Sequence, residues 1–331
     1  MNAHEVFLYA EDNFDITPRL RVNAGLHTSA FHVEDKTYFS LQPRLAARYQ
    51  LNEDIVLKTS YSKMNQYINL LTSAPISMPT DLWVPVTKNI RPMRAHQYSI
   101  GGYYTGIKNW EFSVEGYYKD MRNVLEYKDA SRFIGSSSSW EEKVEMGKGR
   151  SFGVEFMVQR TVGKTTGWLS YTLAKSDRKF QKGGISNGQR FPFKYDRRHT
   201  INLVVNHKFS DRVDIGATWF FASGAAATIP REVTSVIVDP EKTKPVDYVE
   251  HRNNYRLPPS HRLNIGINLH KKKKHGVRTW NFSIYNAYNA MNPTFTQREI
   301  KFDEETFEEV PRLKKFTLLP LIPSVTYTYR F

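Results

Sequence analysis

The chain has 331 residues, no cysteine and a net charge of +14, with 40% hydrophobic and 14% aromatic residues. The missing cysteine excludes disulfides, thiolate metal sites and cysteine nucleophiles, and a mean hydropathy of −0.55 is too polar for a bundle of membrane helices. Lysine and arginine are spread over many segments rather than gathered on one recognisable module, which argues against a nucleic-acid partner.

Strand signals begin almost at once and repeat with few interruptions. A weak one covers Val6–Asp12. Leu20, Val22, Ala24 and Leu26 then alternate with Arg21, Asn23, Gly25 and His27. Leu41, Pro43, Leu45, Ala47 and Tyr49 alternate with Gln42, Arg44, Ala46, Arg48 and Gln50. Weaker signals follow at Ile55–Ser62 and Gln97–Tyr104. Trp110, Phe112, Val114, Gly116 and Tyr118 alternate with Glu111, Ser113, Glu115, Tyr117 and Lys119. Phe152, Val154, Phe156 and Val158 alternate with Ser151, Gly153, Glu155 and Gln159. Gly167–Leu173, Thr200–Asn206 and Val213–Phe221 come next. Leu263, Ile265, Ile267 and Leu269 alternate with Arg262, Asn264, Gly266 and Asn268, and Trp280–Asn286 follows. The chain closes on Val325, Tyr327, Tyr329 and Phe331, alternating with Thr326, Thr328 and Arg330. No helical period of 3.6 appears. Strands with one apolar and one wet face, ending on an aromatic residue, suit a transmembrane β-barrel; a half-buried strand of a soluble sandwich shows the same period of two.

The connections alternate as strictly as the residues. Short ones fall at Thr17–Arg19, Leu51–Asp54, Gly106–Asn109, Val162–Lys164, Phe209–Arg212 and Lys271–Val277, where Lys271-Lys272-Lys273-Lys274 reads as a solvated turn. Between them lie longer ones at His32–Ser40, Asn65–Ala95, Arg122–Lys148, Ser176–Arg198, Ser223–Ser260 and Ala287–Leu313. Short turns at one end and long loops at the other are the pattern of an outer-membrane barrel, turns periplasmic and loops extracellular. The expected fold is therefore all-β, an antiparallel up-and-down transmembrane barrel. The tally of about thirteen strands is odd, whereas single-chain bacterial barrels are even. The first and last strands run in the same direction, so closing the two edges would pair parallel strands. No charged-then-apolar leader follows Met1. The expectation is that residues 1–331 are the C-terminal part of a barrel whose earlier strands, signal peptide and any further domain lie elsewhere.

Several segments, in order, resemble a TonB-dependent outer-membrane receptor of the Bacteroidetes type. They are His4-Glu5 leading Leu8-Tyr9-Ala10-Glu11-Asp12, Pro43-Arg44 opening a strand, Pro79-Thr80-Asp81-Leu82-Trp83-Val84-Pro85, and Gly149-Arg150-Ser151-Phe152-Gly153-Val154-Glu155. Gly167-Trp168-Leu169-Ser170-Tyr171-Thr172-Leu173, Tyr195-Asp196-Arg197-Arg198-His199, Tyr285-Asn286-Ala287-Tyr288-Asn289 with Asn292-Pro293, and the terminal Phe331 complete the set. The resemblance implies a barrel of about 22 strands closed by a plug domain, with a segment that contacts TonB. It implies bacterial outer-membrane localisation, and lipid and lipopolysaccharide as surroundings. Its partners would be the missing strands and plug, TonB through that plug, and, as a further candidate, a surface lipoprotein. It implies uptake of a nutrient, a glycan or another polar ligand, that this segment would not perform alone. Alternatives are an outer-membrane channel or adhesin barrel without active transport, and a soluble extracellular glycan-binding β-protein. Val325, Tyr327, Tyr329 and Phe331 become the candidate signal for membrane insertion and assembly.

No phosphate loop, activated nucleophile or metal-ligand spacing is found, so no enzyme activity, cofactor or metal is expected. His251 and His261 share a loop region with Arg252 and Tyr255, read as a polar loop. Candidate substrate-contacting residues in the long loops are Trp83, Trp140, Arg190, Tyr248, Arg252 and Tyr255, since aromatic faces with fork-shaped donors suit polar ligands. Arg44, Arg48, Glu155 and Arg262 are candidates for facing the lumen and plug, with Glu155 pairing basic residues such as Arg44 or Arg48. Asp196 is read as a strand-end anchor pairing an arginine across a hairpin; the alternative for its segment is a cationic rim patch touching substrate or lipopolysaccharide phosphate.

Overall fold

The computed structural model describes residues 2–72, 81–128, 139–229, 232–239, 242–249, 251–302 and 309–331. In chain order the strands are β1 (Ala3–Thr17), β2 (Leu20–Val33), β3 (Lys36–Gln50), β4 (Ile55–Gln66), β5 (Ile68–Leu71), β6 (Leu82–Pro85), β7 (Met93–Tyr104) and β8 (Trp110–Tyr127). There follow β9 (Val144–Arg160), β10 (Thr165–Lys179), β11 (Phe191–Pro192), β12 (His199–Lys208), β13 (Val213–Ala222), β14 (Ala226–Ala227), β15 (Glu232–Asp239) and β16 (Lys242–Tyr248). The last are β17 (Tyr255–Arg256), β18 (Ser260–Lys273), β19 (Gly276–Tyr285), β20 (Phe295–Phe302), β21 (Glu309–Phe316) and β22 (Ile322–Arg330). One wall runs β1-β2-β3-β4-β7-β8-β9-β10-β12-β13-β18-β19-β22, with β11 added to β10. Every pairing is antiparallel, and the wall is a meander. Its ends, β1 and β22, are not paired with each other.

Alternation sorts the wall into two faces. Leu45, Ile100, Val154, Ile265, Phe282 and Val325 all stand exposed, Ile100 by 69%. So many large apolar side chains open on one surface would aggregate in water, and they match a hydrocarbon surround. The opposite phase carries Arg44, Arg48, Lys58, Glu115, Glu155 and Arg262. Contacts between loops four strands apart identify this second face as the concave one. Lys194, in the loop after β10, donates to Thr72 Oγ1 at 2.6 Å, beyond β4. Arg252, in the loop after β13, lies 3.7 Å from Glu126 of β8. Such chords close only across the inside of a curved wall.

The short turns lie where the alternation ends. Two strand ends differ from the sequence reading. His32–Ser40 is no long loop: β2 and β3 continue to a two-residue turn at Glu34-Asp35, where Glu34 has φ 50°. The inward residues Phe31 and Val33 there are covered by Tyr67 and Val86, with Phe31 and Tyr67 stacked at 4.7 Å. At the opposite end Lys271, Lys272 and Lys273 pair with Arg278, Val277 and Gly276, so the solvated turn is only Lys274-His275. The long connections also hold structure of their own, as the hairpins β5–β6, β15–β16 and β20–β21 and the two-residue pair β14–β17.

Candidate functional site

The core sits under the long loops, not between sheets. Phe180, Ile185 and Phe191, from the loop after β10, pack onto Ala95, Met121 and Val124 of the concave face. A bulge at Asn123 places Val124 there. Asn123 takes φ 59°, the register slips between Arg122 and Val124, and its side-chain amide donates to Pro92 O at 2.9 Å. One extra residue inverts the strand phase beyond it.

Two buried carboxylates tie the loops together. Asp177 accepts from Arg150 Nε at 3.0 Å and is also paired with Arg190. Asp196 accepts from the Ser176 amide and from Arg256 of β17, sixty residues away, and Arg198 lies 3.7 Å off. Arg256 Nη1 also donates to Asp196 O at 2.6 Å. Asp196 therefore fastens the loop after β10 to the loop after β13. A carboxylate buried to this degree persists because guanidinium forks satisfy its lone pairs.

Two cavities open beside this anchor, of about 220 and 350 Å³, and Lys194 and Tyr195 line both. The first is bounded by Arg178, Glu126, Thr72 and Phe193. The second is bounded by Arg197, Arg262, Tyr285 and Asn292. Arg178 stacks its guanidinium over Phe193 at 4.1 Å, and its Nε is buried with no hydrogen-bond partner among the described residues. Arg262 lies over the Tyr285 ring at 4.4 Å and donates to its hydroxyl. Burial lowers the pKa of Lys194 below the ordinary lysine value, and burial likewise lowers Arg197. Arg252 and Arg178 act on Lys194 in the same sense, while Glu126 and Asp81 oppose them. The arrangement is a partly desolvated cationic chamber with aromatic walls, which attracts an anion more strongly than an exposed lysine would.

The candidates from the sequence are distributed unevenly about this chamber. Arg252 lines neither cavity but pairs with Glu126 of the first and acts electrostatically on Lys194. Arg190 is engaged by Asp177. Trp140 packs beside Leu71, Val84, Ile90 and Val144. Trp83 on β6 is 65% exposed, away from the chamber lining. Tyr255 pairs with Ala227, and Tyr248 ends β16. Arg262 lines the second cavity, whereas Arg44 and Arg48 stand exposed further along the concave face. Glu155 faces Glu115 and Thr172 on its neighbouring strands, so it meets a like charge rather than Arg44 or Arg48. Val325, Tyr327 and Tyr329 share the apolar face of β22, and Phe331 is fully exposed beyond it. Sequence reading missed Lys194 and Arg178; for Lys194 the available signal was its place directly before the Tyr195-Asp196-Arg197-Arg198 segment, and Arg178, back on β10, carried no such signal.

The family model for TonB dependent receptor-like β-barrels matches residues 2–290. This chain belongs to that family. It is an outer-membrane β-barrel chain of the TonB-dependent receptors. The match does not separate bacterial lineages within the family. No curated protein sequence matches the chain. Among solved structures, the ferric yersiniabactin uptake receptor of Yersinia pestis aligns with TM-score 0.61 at 12% identity, over 99% of this chain and 46% of that one. The ferric-catecholate import receptor of E. coli K12 aligns with TM-score 0.60 at 14% identity, over 98% and 45%. The ferripyoverdine receptor of the Pseudomonas aeruginosa outer membrane gives TM-score 0.59 at 12% identity, over 88% and 36%. At such identity the likeness is one of fold. The chain spans less than half the length of these receptors.

Proposed function

We propose that this TonB-dependent receptor wall serves energy-coupled uptake of a polar, anionic nutrient, with the Lys194 chamber as part of its binding surface. The carrying observation is the set of basic residues at one partly desolvated cavity pair: Lys194, Arg178, Arg197 and Arg262 in the linings, with Arg252 close enough to act on Lys194, against Glu126 and Asp81. Asp177 and Asp196 do not offset them, because arginines of the anchor already hold both. Anionic iron chelates, of the kind named for the neighbouring structures, and acidic glycans share the required chemistry. Residues 1–331 act as the C-terminal part of the barrel, with plug, TonB-contacting segment and earlier strands supplied by other sequence. The facing Glu115 and Glu155 then meet cationic groups of the plug, and a surface lipoprotein is a further partner. A channel or adhesin without energy coupling predicts ligand entry or binding indifferent to TonB.

The test is uptake of candidate anionic nutrients by cells carrying the receptor, with and without TonB, and with Lys194→Met. Accumulation that requires TonB and falls in Lys194→Met supports the reading. Robust energy-dependent accumulation by cells carrying only residues 1–331 would overturn the assignment of plug and earlier strands to other sequence.

A further inference from the structure

The concave phase of β2, β3, β4 and β7 contains no aspartate or glutamate. It carries Arg21, Arg44, Arg48 and Lys58, with Asn23, Ser60, Ser62, Gln97 and Ser99 among them. Carboxylates border this sector on both sides. Glu5, Glu11 and Asp15 share the concave phase of β1, and Glu111, Glu115 and Glu155 that of β8 and β9. Period-two alternation does not produce such sorting, because it separates polar from apolar and is indifferent to the sign of a charge.

Strand register concentrates the positive charge. Arg21, Arg48 and Lys58 stand directly opposite one another in a row across β2, β3 and β4. Like charges in that relation oppose pairing of the strands. Arg21 is paired with Asp15 at 2.6 Å. Arg48 and Lys58 have no carboxylate partner among the described residues: Arg48 donates to Gln50 at 3.4 Å, and Lys58 Nζ lies 3.8 Å from the centroid of the Tyr103 ring. Tyr103 in turn donates to Glu115 at 3.1 Å, which holds that carboxylate at the edge of the sector. The row thus keeps two adjacent positive charges that the wall itself does not pair.

These three cations line a cavity of about 390 Å³, together with Asn23, Ser60 and Ser99, and Glu115 closes its far side. Arg21 is the second residue of β2, Arg48 lies two residues before the end of β3 and Lys58 three after the start of β4, so the cavity sits at the short-turn end of the wall. The Lys194 chamber sits at the other end of the same lane. Gln66, on the concave face of β4 like Lys58, lines the first chamber cavity. Eight residues of strand separate Gln66 from Lys58, roughly 26 Å at about 3.3 Å each. The two ends match in size, about 390 Å³ against about 350 Å³ for the second chamber cavity.

We infer that the concave sector of β2, β3, β4 and β7 is the lane by which an anionic solute crosses the lumen, with Arg48 and Lys58 forming a second anion site at its inner end. The inference rests on the uptake of an anion proposed above. Inward arginine and lysine select anions in a pore, as aspartate and glutamate select cations. The serine hydroxyls and side-chain amides between the two ends hydrogen-bond a solute without adding charge. Two sites of moderate strength let the solute enter one and leave by the other. The carboxylates of β1, β8 and β9 repel it from the flanks.

The chain has no cysteine, so a single introduced one reports the local potential through its reaction with charged thiol reagents. The full receptor, with any cysteine in its other segments replaced, is produced in TonB-containing cells as Ser60→Cys, Ser113→Cys or Tyr195→Cys. Each is labelled with anionic sulfonatoethyl and cationic trimethylammonioethyl methanethiosulfonate, and the rates are divided by those of a free thiol. The expected preference at Ser60→Cys is about tenfold for the anion, and Ser113→Cys, between Glu111 and Glu115, prefers the cation. Arg48→Gln with Lys58→Gln abolishes the preference at Ser60→Cys and leaves the one at Tyr195→Cys, which also shows that the variant is folded. No anionic preference at Ser60→Cys, the same preference at Ser113→Cys, or its survival in the double variant would overturn the lane. So would a Ser60→Cys inert to both reagents, the outcome if carboxylates of another part of the receptor cover the row. An anionic preference at Tyr195→Cys that Lys194→Met removes, with none at Ser60→Cys, sinks the lane alone; no anionic preference at either position sinks the chamber reading with it.

Discussion

Replacing Asp196 by alanine tests whether a single buried carboxylate fastens the external loops. Its side chain is 1% exposed and is held by Arg256, Arg198 and the Ser176 amide. Removing one partner of a buried ion pair costs about 3–5 kcal/mol. Here both arginines are 38% exposed and recover hydration, so about 2 kcal/mol is the better figure. The orphaned Ser176 amide adds about 1 kcal/mol. A total of about 3 kcal/mol lowers the local opening free energy and speeds amide exchange about a hundredfold in the docked loops. The reporting amides are Phe193, which donates to Ser176 O at 2.9 Å, and Leu257, which donates to Ala225 O at 3.0 Å. Wall amides such as those of β12 should exchange unchanged. Arg256→Ala alone should loosen the same amides, and adding it to Asp196→Ala should cost little more, since the pair is already broken. Exchange at Phe193 and Leu257 within about threefold of the parent, or strictly additive effects of the two substitutions, would refute the anchor.

Ile265→Arg on the apolar face should cost about 2–4 kcal/mol if the site is near mid-membrane, whereas Asn264→Arg on the concave face should be tolerated; folding titrations into lipid vesicles compare them directly. Lys194→Met should leave loop exchange within about 1 kcal/mol of the parent, because a burial penalty and a hydrogen bond to Thr72 are lost together, while affinity for an anionic nutrient falls in equilibrium binding. Glu155→Gln should stabilise an unplugged barrel by about 0.2–1 kcal/mol by relieving repulsion from Glu115; a loss of stability in the same titration would mean that Glu155 already has a cationic partner. Phe331→Ser should reduce surface-exposed receptor at constant transcript level, measured by antibody binding to intact cells, if the end of β22 is read during assembly.

The strands, their two faces and the side of the short turns were legible in the sequence because each is local. Period-two alternation depends only on neighbours along the chain, and a short turn between alternating segments leaves antiparallel pairing as the available geometry. Leu263, Ile265 and Ile267 could thus be placed opposite Arg262 and Asn264 before any coordinates. The extents of β2 and β3 past His32 were not legible, because Phe31 and Val33 break the polar phase only to meet Tyr67, over thirty residues on. Nor was the fate of the charges. Glu155 was matched with basic residues by sign, but register sets Glu115 opposite it. Asp196 with Arg256 and Lys194 with Thr72 depend on loop closure across the wall, and the place of Val124 in the core depends on the bulge at Asn123. Those are properties of the folded wall and its loops, so the tertiary structure alone assembled the chamber from residues that the sequence keeps far apart.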